Sequence, residues 1–329
     1  MLVILTIVVA GCTPAAGASW SWTTPKTVPG SGGLVAVDCP SAAGCVALGA
    51  DADSFRLTGS SWSAPTPVER VGHADAPAVL TCVRTTWCAT FDALGRVLTY
   101  DGQGWSRPVQ VDSASAEITG MSCASSNFCA VVDSDGDAAI YDGERWSRPA
   151  PVADSSGLVA VSCPAPGQCF SIDAQSDEVY RYDAGRWSIS AELNLSTPQG
   201  GSEPNTLGAI SCGSVDFCVA VDDFGEAFTY NGKWSSGSHT FDDIADGDVA
   251  LSCTDQPLCV IVDDSNNAVV DANDTWSAPY RLKVPAATLI DVSCADRRGT
   301  GGTGGTGGAR CLAIDARGAY LVGHGPSGT

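Results

Sequence analysis

The fold of this chain is decided by the stretch 121–146, MSCASSNFCAVVDSDGDAAIYDGERW. An apolar run leads into Cys123, five residues follow, and Cys129 opens a second run of small and β-branched residues, which suit buried strands. An Asp-x-x-Gly turn at 133–136 separates that run from an alternating strand, and an Asp-Gly turn precedes the strand that begins at Trp146. The stretch therefore predicts four antiparallel strands joined by short turns.

The same unit recurs along the whole chain, and its cysteines mark it. The first cysteines of successive units lie 40 to 49 residues apart, and six of the seven pairs have five residues between their members. The pairs are Cys39 and Cys45, Cys82 and Cys88, Cys123 and Cys129, Cys163 and Cys169, Cys212 and Cys218, Cys253 and Cys259, and Cys294 and Cys311. Four short strands per unit is the composition of a propeller blade, so the seven units predict a seven-bladed β-propeller with four-stranded antiparallel blades.

Paired cysteines within each unit indicate structural disulfides that form in an oxidising compartment. Zinc would need ligands clustered in space, whereas these pairs fall on different blades, so no metal site is expected from them. Redox catalysis usually shows Cys-x-x-Cys, which the sequence lacks. The last pair encloses the Gly-Thr insertion 299–308, and we therefore expect the seventh blade to be the irregular one.

The two ends of the repeat array predict how the ring closes. The last unit stops near Gly323 without a tryptophan-bearing fourth strand, whereas WTTP at 22–25 matches WSAP at 62–65. The proline suits an outer strand, where a missing N–H removes no ladder bond. We therefore expect the N-terminal strand to complete the last blade of a propeller that covers residues 20–323, ahead of a disordered tail at 324–329.

This unit resembles the Cys-x5-Cys propeller repeats of secreted proteins and lipoproteins of actinobacteria, which often carry loose sialidase-like or galactose-oxidase-like labels. The resemblance covers about residues 20–323 and rests on the recurring cysteine pairs, turns and tryptophans. It implies the propeller fold and an extracellular location, and it implies no established activity.

The N-terminus is typical of a lipoprotein precursor. The apolar run from Leu2 to Ala10 fits the h-region of a signal peptide and is too short to span a bilayer, which needs about 20 residues. VAGC at 9–12 resembles the bacterial lipobox, which implies a signal peptide at 1–11, a lipidated, palmitate-bearing Cys12 and a tether at 12–19. The protein is then expected on the outer face of the cytoplasmic membrane. An ordinary signal peptide with an incidental cysteine is the alternative.

The charge of the chain restricts its partners. The formal net charge is −20, and nucleic acid needs a basic surface, so no nucleic-acid partner is expected. Anionic headgroups would repel the body of the protein, which leaves the lipid as its membrane contact. We expect a monomer that binds a protein, peptide or glycan. Alternatively, the acids only keep a secreted protein soluble.

The candidate ligand face carries one aspartate from six of the seven units, each four residues after the second cysteine. These aspartates are Asp92, Asp133, Asp173, Asp222, Asp263 and Asp315. Antiparallel blades place them opposite the disulfides, together with a long connection that contains His239, Asp242 and Asp243. A ring of acids could hold cations or a basic ligand; alternatively, each aspartate bonds the backbone of its own turn. No cofactor is expected, and calcium stays an alternative, although 133–137 lacks the distal glutamate of a calcium hand.

The sequence favours a non-catalytic binding scaffold over an enzyme. Its three histidines fall in unlike contexts, Gly-x-Ser-x-Gly is absent, and no sialidase-type Ser-x-Asp-x-Gly-x-x-Trp box occurs. A rigid ring with loops of unequal length suits ligand capture at the cell surface. The alternative is a secreted hydrolase or lyase that acts on polysaccharide through carboxylates on the loop face.

Overall fold

The computed structural model describes residues 20–68, 79–112, 117–195, 205–240, 249–255, 258–272, 275–284, 287–296 and 308–325. Within these ranges the chain is all β, and its strands form seven antiparallel sheets. Each sheet has four main strands in sequential order, and the first strand of each sheet packs against the first strand of the next around a ring. The chain is therefore a seven-bladed β-propeller, as the repeat predicts.

We number the blades 1 to 7 along the chain and list their strands from the central channel to the rim. Blade 1 has Leu34–Ser41, Gly44–Gly49, Asp53–Thr58, Ser61–Trp62 and Thr66–Pro67; blade 2 has Val79–Arg84, Trp87–Phe91, Arg96–Tyr100 and Val109–Gln110. Blade 3 has Ile118–Ser125, Phe128–Asp133, Asp137–Tyr141 and Ala150–Pro151; blade 4 has Leu158–Ala165, Gln168–Asp173, Glu178–Asp183 and Arg186–Glu192. Blade 5 has Leu207–Ser214, Phe217–Asp222, Glu226–Tyr230 and Ser238–His239; blade 6 has Val249–Cys253, Leu258–Asp263, Asn267–Ala272 and Tyr280–Arg281. Blade 7 has Leu289–Ala295, Arg310–Asp315 and Ala319–His324, with Ser21–Trp22 and Lys26–Thr27 at its rim.

The disulfides join the first two strands of every blade in the pairs that the spacing predicts. In blade 3, Cys123 lies directly opposite Cys129 in the strand register, with 4.0 Å between their Cα atoms. Such a short separation is typical of the non-hydrogen-bonded positions of an antiparallel ladder, where the N–H groups point away from the partner strand. The N–H of the first cysteine therefore points to the inner edge of the blade.

A closed ring of seven hydrogen bonds satisfies these inward N–H groups. In each blade the first cysteine donates its backbone N–H, at 2.6 to 3.1 Å, to the side chain that precedes the first cysteine of the previous blade. The acceptors are Asp38, Thr81, Ser122, Ser162, Ser211, Ser252 and Ser293. Because unpaired donors at a sheet edge are costly, the ring stabilises every seam, including the one between the last blade and the first.

The N-terminal segment completes blade 7, as the sequence predicts. Ser21–Trp22 pairs with the end of Ala319–His324, and Lys26–Thr27 pairs with the beginning of the same strand. That strand extends to His324, the first residue of the predicted tail. Both ends of the chain therefore contribute to one blade, and the ring has no open gap between its ends.

The other predictions for the chain ends concern residues outside the described ranges. The signal peptide, the lipidation at Cys12 and the tether all fall within 1–19, and most of the tail falls within 326–329. Among the described residues, no helix is long and apolar enough to cross a membrane. Lipid anchoring therefore stays a prediction.

The core lies between neighbouring blades. One cluster combines Phe170 and Ile172 of blade 4 with Phe228 and Tyr230 of blade 5, all of them buried. In blades 2 to 5 the rim tryptophan packs against the tyrosine near the end of the third strand, with ring centres 5.2 to 5.5 Å apart. The repeated tryptophan therefore anchors the outermost part of these blades to the core.

Candidate functional site

The six aspartates of the predicted ligand face are buried, with at most 2% of their surface exposed. Their Oδ1 atoms accept backbone N–H groups of the turns that follow them. Asp222, for example, accepts from Phe224 at 3.0 Å and Glu226 at 2.6 Å. Asp92, Asp133 and Asp315 make the same two bonds. Oδ1 of Asp173 accepts from the N–H groups of Gln175 and Ser176, and Oδ1 of Asp263 accepts from that of Asn267. This geometry is that of the turn-holding alternative.

The second carboxylate oxygen is also engaged in several of these aspartates. Oδ2 of Asp92 accepts from Nε of Arg96 at 2.6 Å, and Oδ2 of Asp222 accepts from Nδ2 of Asn205 at 2.6 Å. Oδ2 of Asp173 accepts the backbone N–H of Ser156 at 2.8 Å. These carboxylates are therefore directed into the protein rather than toward a ligand.

The remaining residues predicted for that face lie beyond what the structure describes. Asp242 and Asp243 fall in the undescribed range 241–248, and nothing is described of the His239 side chain. Their role as ligand contacts stays a prediction. Among the described residues, no group of three or more His, Cys, Asp or Glu side chains is arranged to hold a metal ion.

Two acidic sites on the scaffold have unusual titration behaviour. Burial, together with a hydrogen bond to the neighbouring Asp112 carboxyl, raises the pKa of Asp133 to about 7. At the seam of blades 7 and 1, burial raises the pKa of Asp38 to about 6. Burial there, and the nearby charge of Asp38, raise the pKa of Asp291 to about 7. Asp291 accepts the Val37 N–H at 2.7 Å, so this pair belongs to the closing seam and is bonded within it.

The rim provides the clearest departure from the repeat. In six blades the residue after the rim tryptophan is a serine or threonine whose Oγ accepts a third-strand N–H, as Ser147 does from Ile140 at 3.0 Å. Its own N–H donates to the carbonyl of the same third-strand residue, and we call this pair of bonds the rim clip. The chain then leaves the sheet and returns only as a two-residue strand.

Blade 4 lacks the rim clip and has a continuous outer strand instead. Arg186–Glu192 pairs along the whole of Glu178–Asp183, and Ser188 lies opposite Arg181 in the ladder. A register shift between Ile189 and Ala191 leaves the intervening residue as a bulge. Bulges re-aim side chains, and here Ile189 is 48% exposed.

The same departure leaves a groove between blades 4 and 5, with a volume of about 920 Å³. One wall is the outer strand of blade 4, and the other is the rim segment 232–237 of blade 5. Tyr230 and Trp234 close the inner side, with 8% and 9% of their surface exposed. We call this cavity the blade 4–5 groove.

Arg181 is the cation inside the groove. Its guanidinium lies 5.5 Å from the centre of the Phe170 ring and donates from NH1 to the Tyr230 hydroxyl at 3.4 Å. Its nearest carboxylate is that of Asp183, which is 3.9 Å away and 55% exposed. Within the described part of the chain, its buried Nε has no hydrogen-bond partner. An exposed pair at that distance contributes little, so the guanidinium keeps donors available to a ligand.

The groove has opposite charge at its two ends. Arg181 lies toward the disulfide face, together with Lys233 in the turn that follows the third strand of blade 5. Glu192 lies at the loop-face end of the outer strand. Burial and the nearby charges of Glu192, Asp173 and Asp223 raise the pKa of Asp177, which shows that acids crowd that end. An anion is therefore favoured at one end of the groove and opposed at the other.

The expectation of an irregular seventh blade rests on the Gly-Thr insertion, of which residues 299–307 lie outside the described ranges, so it stays a prediction. The described strands of blade 7 pair in an antiparallel ladder with a register shift between Leu289 and Asp291. Blade 4 is the irregular one at the rim. One sequence signal marks it: Phe170 stands where blade 3 has Ala130.

Comparison with solved structures identifies the same architecture in proteins of diverse function. Virginiamycin B lyase from Staphylococcus aureus superposes with a TM-score of 0.73 at 8% identity, over 93% of this chain and 99% of that one. The WD40 β-propeller domain of Doa1 gives 0.68 at 8% identity, over 92% and 96% of the two chains. YCF48 bound to D1 peptide gives 0.61 at 11% identity, over 92% and 96%.

Identities this low show a common fold and nothing more specific. No protein-family model matches the chain, and no curated protein sequence matches it either. The function must therefore be argued from the site itself.

Proposed function

We propose that this protein is a lipid-anchored, non-catalytic binding module of the cell surface, and that it holds a protein partner in the blade 4–5 groove. The observation that carries the proposal is the loss of the rim clip in blade 4, beside which a groove lies between blades 4 and 5. Binding sites are commonly built where a rigid repeat departs from its pattern. YCF48 with the D1 peptide is a solved propeller that holds a peptide, which supports a partner of this kind.

A protein partner fits the groove better than a glycan. Sugars usually stack on exposed aromatic faces, but Tyr230 and Trp234 present little surface. The groove instead offers the rim edge of a continuous outer strand. Such strand edges are features to which extended peptides bind. The polysaccharide alternative relied on loop-face carboxylates, and aspartates such as Asp222 and Asp315 are engaged in their own turns.

The anchoring part of the proposal rests on the lipobox-like sequence at 9–12. If Cys12 becomes the first residue of the mature chain, the seven disulfides account for all remaining cysteines. Intact-mass measurement of protein extracted from the membrane fraction tests this directly. A mature chain that carries no diacylglycerol on Cys12 would refute the anchor and leave the groove proposal untouched.

Site-specific photo-crosslinking on intact cells tests the groove. A photoreactive residue at Ser236, in the groove wall, is compared with one at Arg148, the matching rim position of blade 3. We expect a discrete protein adduct from position 236 that is absent from position 148, and mass spectrometry of the adduct then identifies the partner segment. Adducts from both positions, or from neither, would contradict a site in the groove.

A glycan array probed with the soluble ring provides the competing measurement. Specific glycan binding that survives Arg181→Gln would place the ligand outside the groove. Turnover of a polysaccharide that a single carboxylate substitution abolishes would overturn the non-catalytic proposal.

A further inference from the structure

We propose that the blade 4–5 groove selects an extended partner segment with an acidic side chain, and that this side chain pairs with Arg181 and Lys233. The inference deepens the proposed function and rests on it. It specifies the ligand group, which is an acidic side chain, and its position at the disulfide-face end of the groove.

The first argument is the incomplete bonding of Arg181. A guanidinium has five N–H donors in a fixed fork that matches a carboxylate. The contacts at Arg181 are one 3.4 Å bond to a tyrosine hydroxyl and a 3.9 Å approach to an exposed carboxylate. The guanidinium lies 5.5 Å from the centre of the Phe170 ring, which attracts it because cations are attracted to aromatic faces. An incoming carboxylate would satisfy donors that the chain itself leaves unused.

The second argument is the charge environment. The chain has 37 acidic and 17 basic residues, so most of its surface opposes an acidic ligand. Arg181 and Lys233 together line one end of the groove, while Glu192 lines the other. An acidic segment is therefore directed to the disulfide-face end, and the reverse placement is opposed by like charge.

The third argument is the continuous outer strand beside the cation. Ser188 lies opposite Arg181 in the ladder, so this strand runs directly past the guanidinium. An extended partner segment that pairs with the rim edge of the strand brings its side chain close to Arg181.

Blade 1 offers a matched control for the chain itself. Arg56 occupies the same third-strand position in blade 1 that Arg181 occupies in blade 4. Blade 1 keeps the rim clip, in which Ser63 accepts from the Arg56 N–H at 3.1 Å. The two arginines thus differ in the structure beside them, which is a rim clip at Arg56 and a continuous outer strand at Arg181.

The experiment selects a random heptapeptide display library against the soluble ring and measures the selected peptides by titration. We expect enrichment of Asp and Glu in the selected peptides. Binding should weaken roughly tenfold or more in Arg181→Gln and stay unchanged in Arg56→Gln, since removing one partner of a close charge pair is costly. Arg181→Lys should bind with intermediate strength, because it keeps the charge and loses the fork. Far-UV spectra and melting temperatures confirm that each variant folds.

Three results would overturn the inference: failure to select any peptide, selection of neutral or basic peptides, or equal binding by the wild type and Arg181→Gln. A solution mass of twice the monomer that falls on substitution of Ile189 would assign the groove to a second copy of this chain instead. If crosslinking at position 236 succeeds but the captured segment lacks an acidic residue, the inference fails and the proposed function stands. If no adduct forms at that position, the proposed function fails first.

Discussion

Blades 3 and 4 are neighbours with nearly identical inner halves and different rims. Both have an eight-residue first strand, a disulfide with a sequence separation of 6, and a link in the ring of hydrogen bonds. At the rim, blade 3 holds a two-residue strand through the Ser147 clip, whereas blade 4 holds a seven-residue strand through a full ladder.

This comparison shows where the propeller can change without losing its fold. The inner strands satisfy one another across every seam, so an altered first strand would leave donors unpaired in two blades. The rim contacts only its own blade and one neighbour. Variation is therefore tolerated at the rim, and that is where the groove occurs.

The largest effect should come from Phe170, which blade 4 has in place of Ala130 of blade 3. Phe170 is 1% exposed and packs against Tyr230 and Trp234. Phe170→Ala should reduce the free energy of unfolding by about 3–5 kcal/mol, through lost burial and the cavity that remains. Chemical denaturation measures this, and peptide binding should fall as well. A loss below about 1 kcal/mol would show that the groove does not depend on this ring.

The next prediction compares how stability depends on pH at the seam of blades 7 and 1 and at the neutral seam of blades 3 and 4. Asp38 and Asp291 have pKa values of about 6 and about 7 in the folded chain, above the unfolded value of 3.8. The folded state thus binds more protons between pH 4 and pH 7, so stability should fall as pH rises through this window. We expect a loss of roughly 4 kcal/mol between pH 5 and pH 8, with the larger share from Asp291.

Asp291→Asn should flatten this dependence, because the amide cannot ionise. The matched control is Ser122→Ala at the neutral seam, which should lower stability equally at both pH values. Melting curves across the range measure both variants. A pH dependence unchanged by Asp291→Asn would locate its source elsewhere in this acidic chain.

The stability lost on removing the disulfide should be equal in blades 3 and 4. Replacing Cys123 and Cys129 by alanine opens a loop whose closure is worth about 2 kcal/mol in the chain-entropy model. The same replacement of Cys163 and Cys169 in blade 4 should cost as much, since the inner halves match. Unequal losses would mean that the rim strand of blade 4 supports its inner hairpin.

The smallest effect separates the two rims directly. Ser147→Ala removes the hydroxyl that accepts the Ile140 N–H, and it should cost about 1 kcal/mol. Ser188→Ala in blade 4 should cost much less, because its strand is held by the backbone ladder. Hydrogen exchange of the rim amides distinguishes the two. Equal exchange rates in both variants would argue against distinct modes of rim attachment.

Much of this fold could be predicted because a short local sequence specifies each blade and then repeats along the chain. Cys123, the short gap and Cys129 specify a hairpin, and seven copies specify a ring. The N-terminal strand at Trp22 could be assigned to the last blade because the residues around it match the fourth strand of other units. The sequence also contains the acceptors of the hydrogen-bonded ring, since Ser, Thr or Asp precedes every first cysteine. Their role as acceptors depends on which neighbouring blade each side chain faces.

The site was less predictable for a physical reason. An aspartate such as Asp222 has the same spacing whether it bonds its own turn or a ligand, and only the coordinates give its acceptor geometry. The insertion 299–308 suggests an irregular blade 7, and residues 299–307 lie outside the described ranges. The position of Arg181 depends on contacts between two blades, which the sequence of one blade does not specify.

Closure by the N-terminus also sets how the disc is oriented if Cys12 holds the lipid. The tether from the lipid then joins the propeller at the outer rim of blade 7, where Ser21–Trp22 is the last strand. The attachment point would be on the rim and not on a flat face, so the plane of the propeller would stand upright on the membrane. Blades 5 and 4 come two and three places before blade 7 around the ring, so the groove would point away from the bilayer, toward whatever approaches from outside.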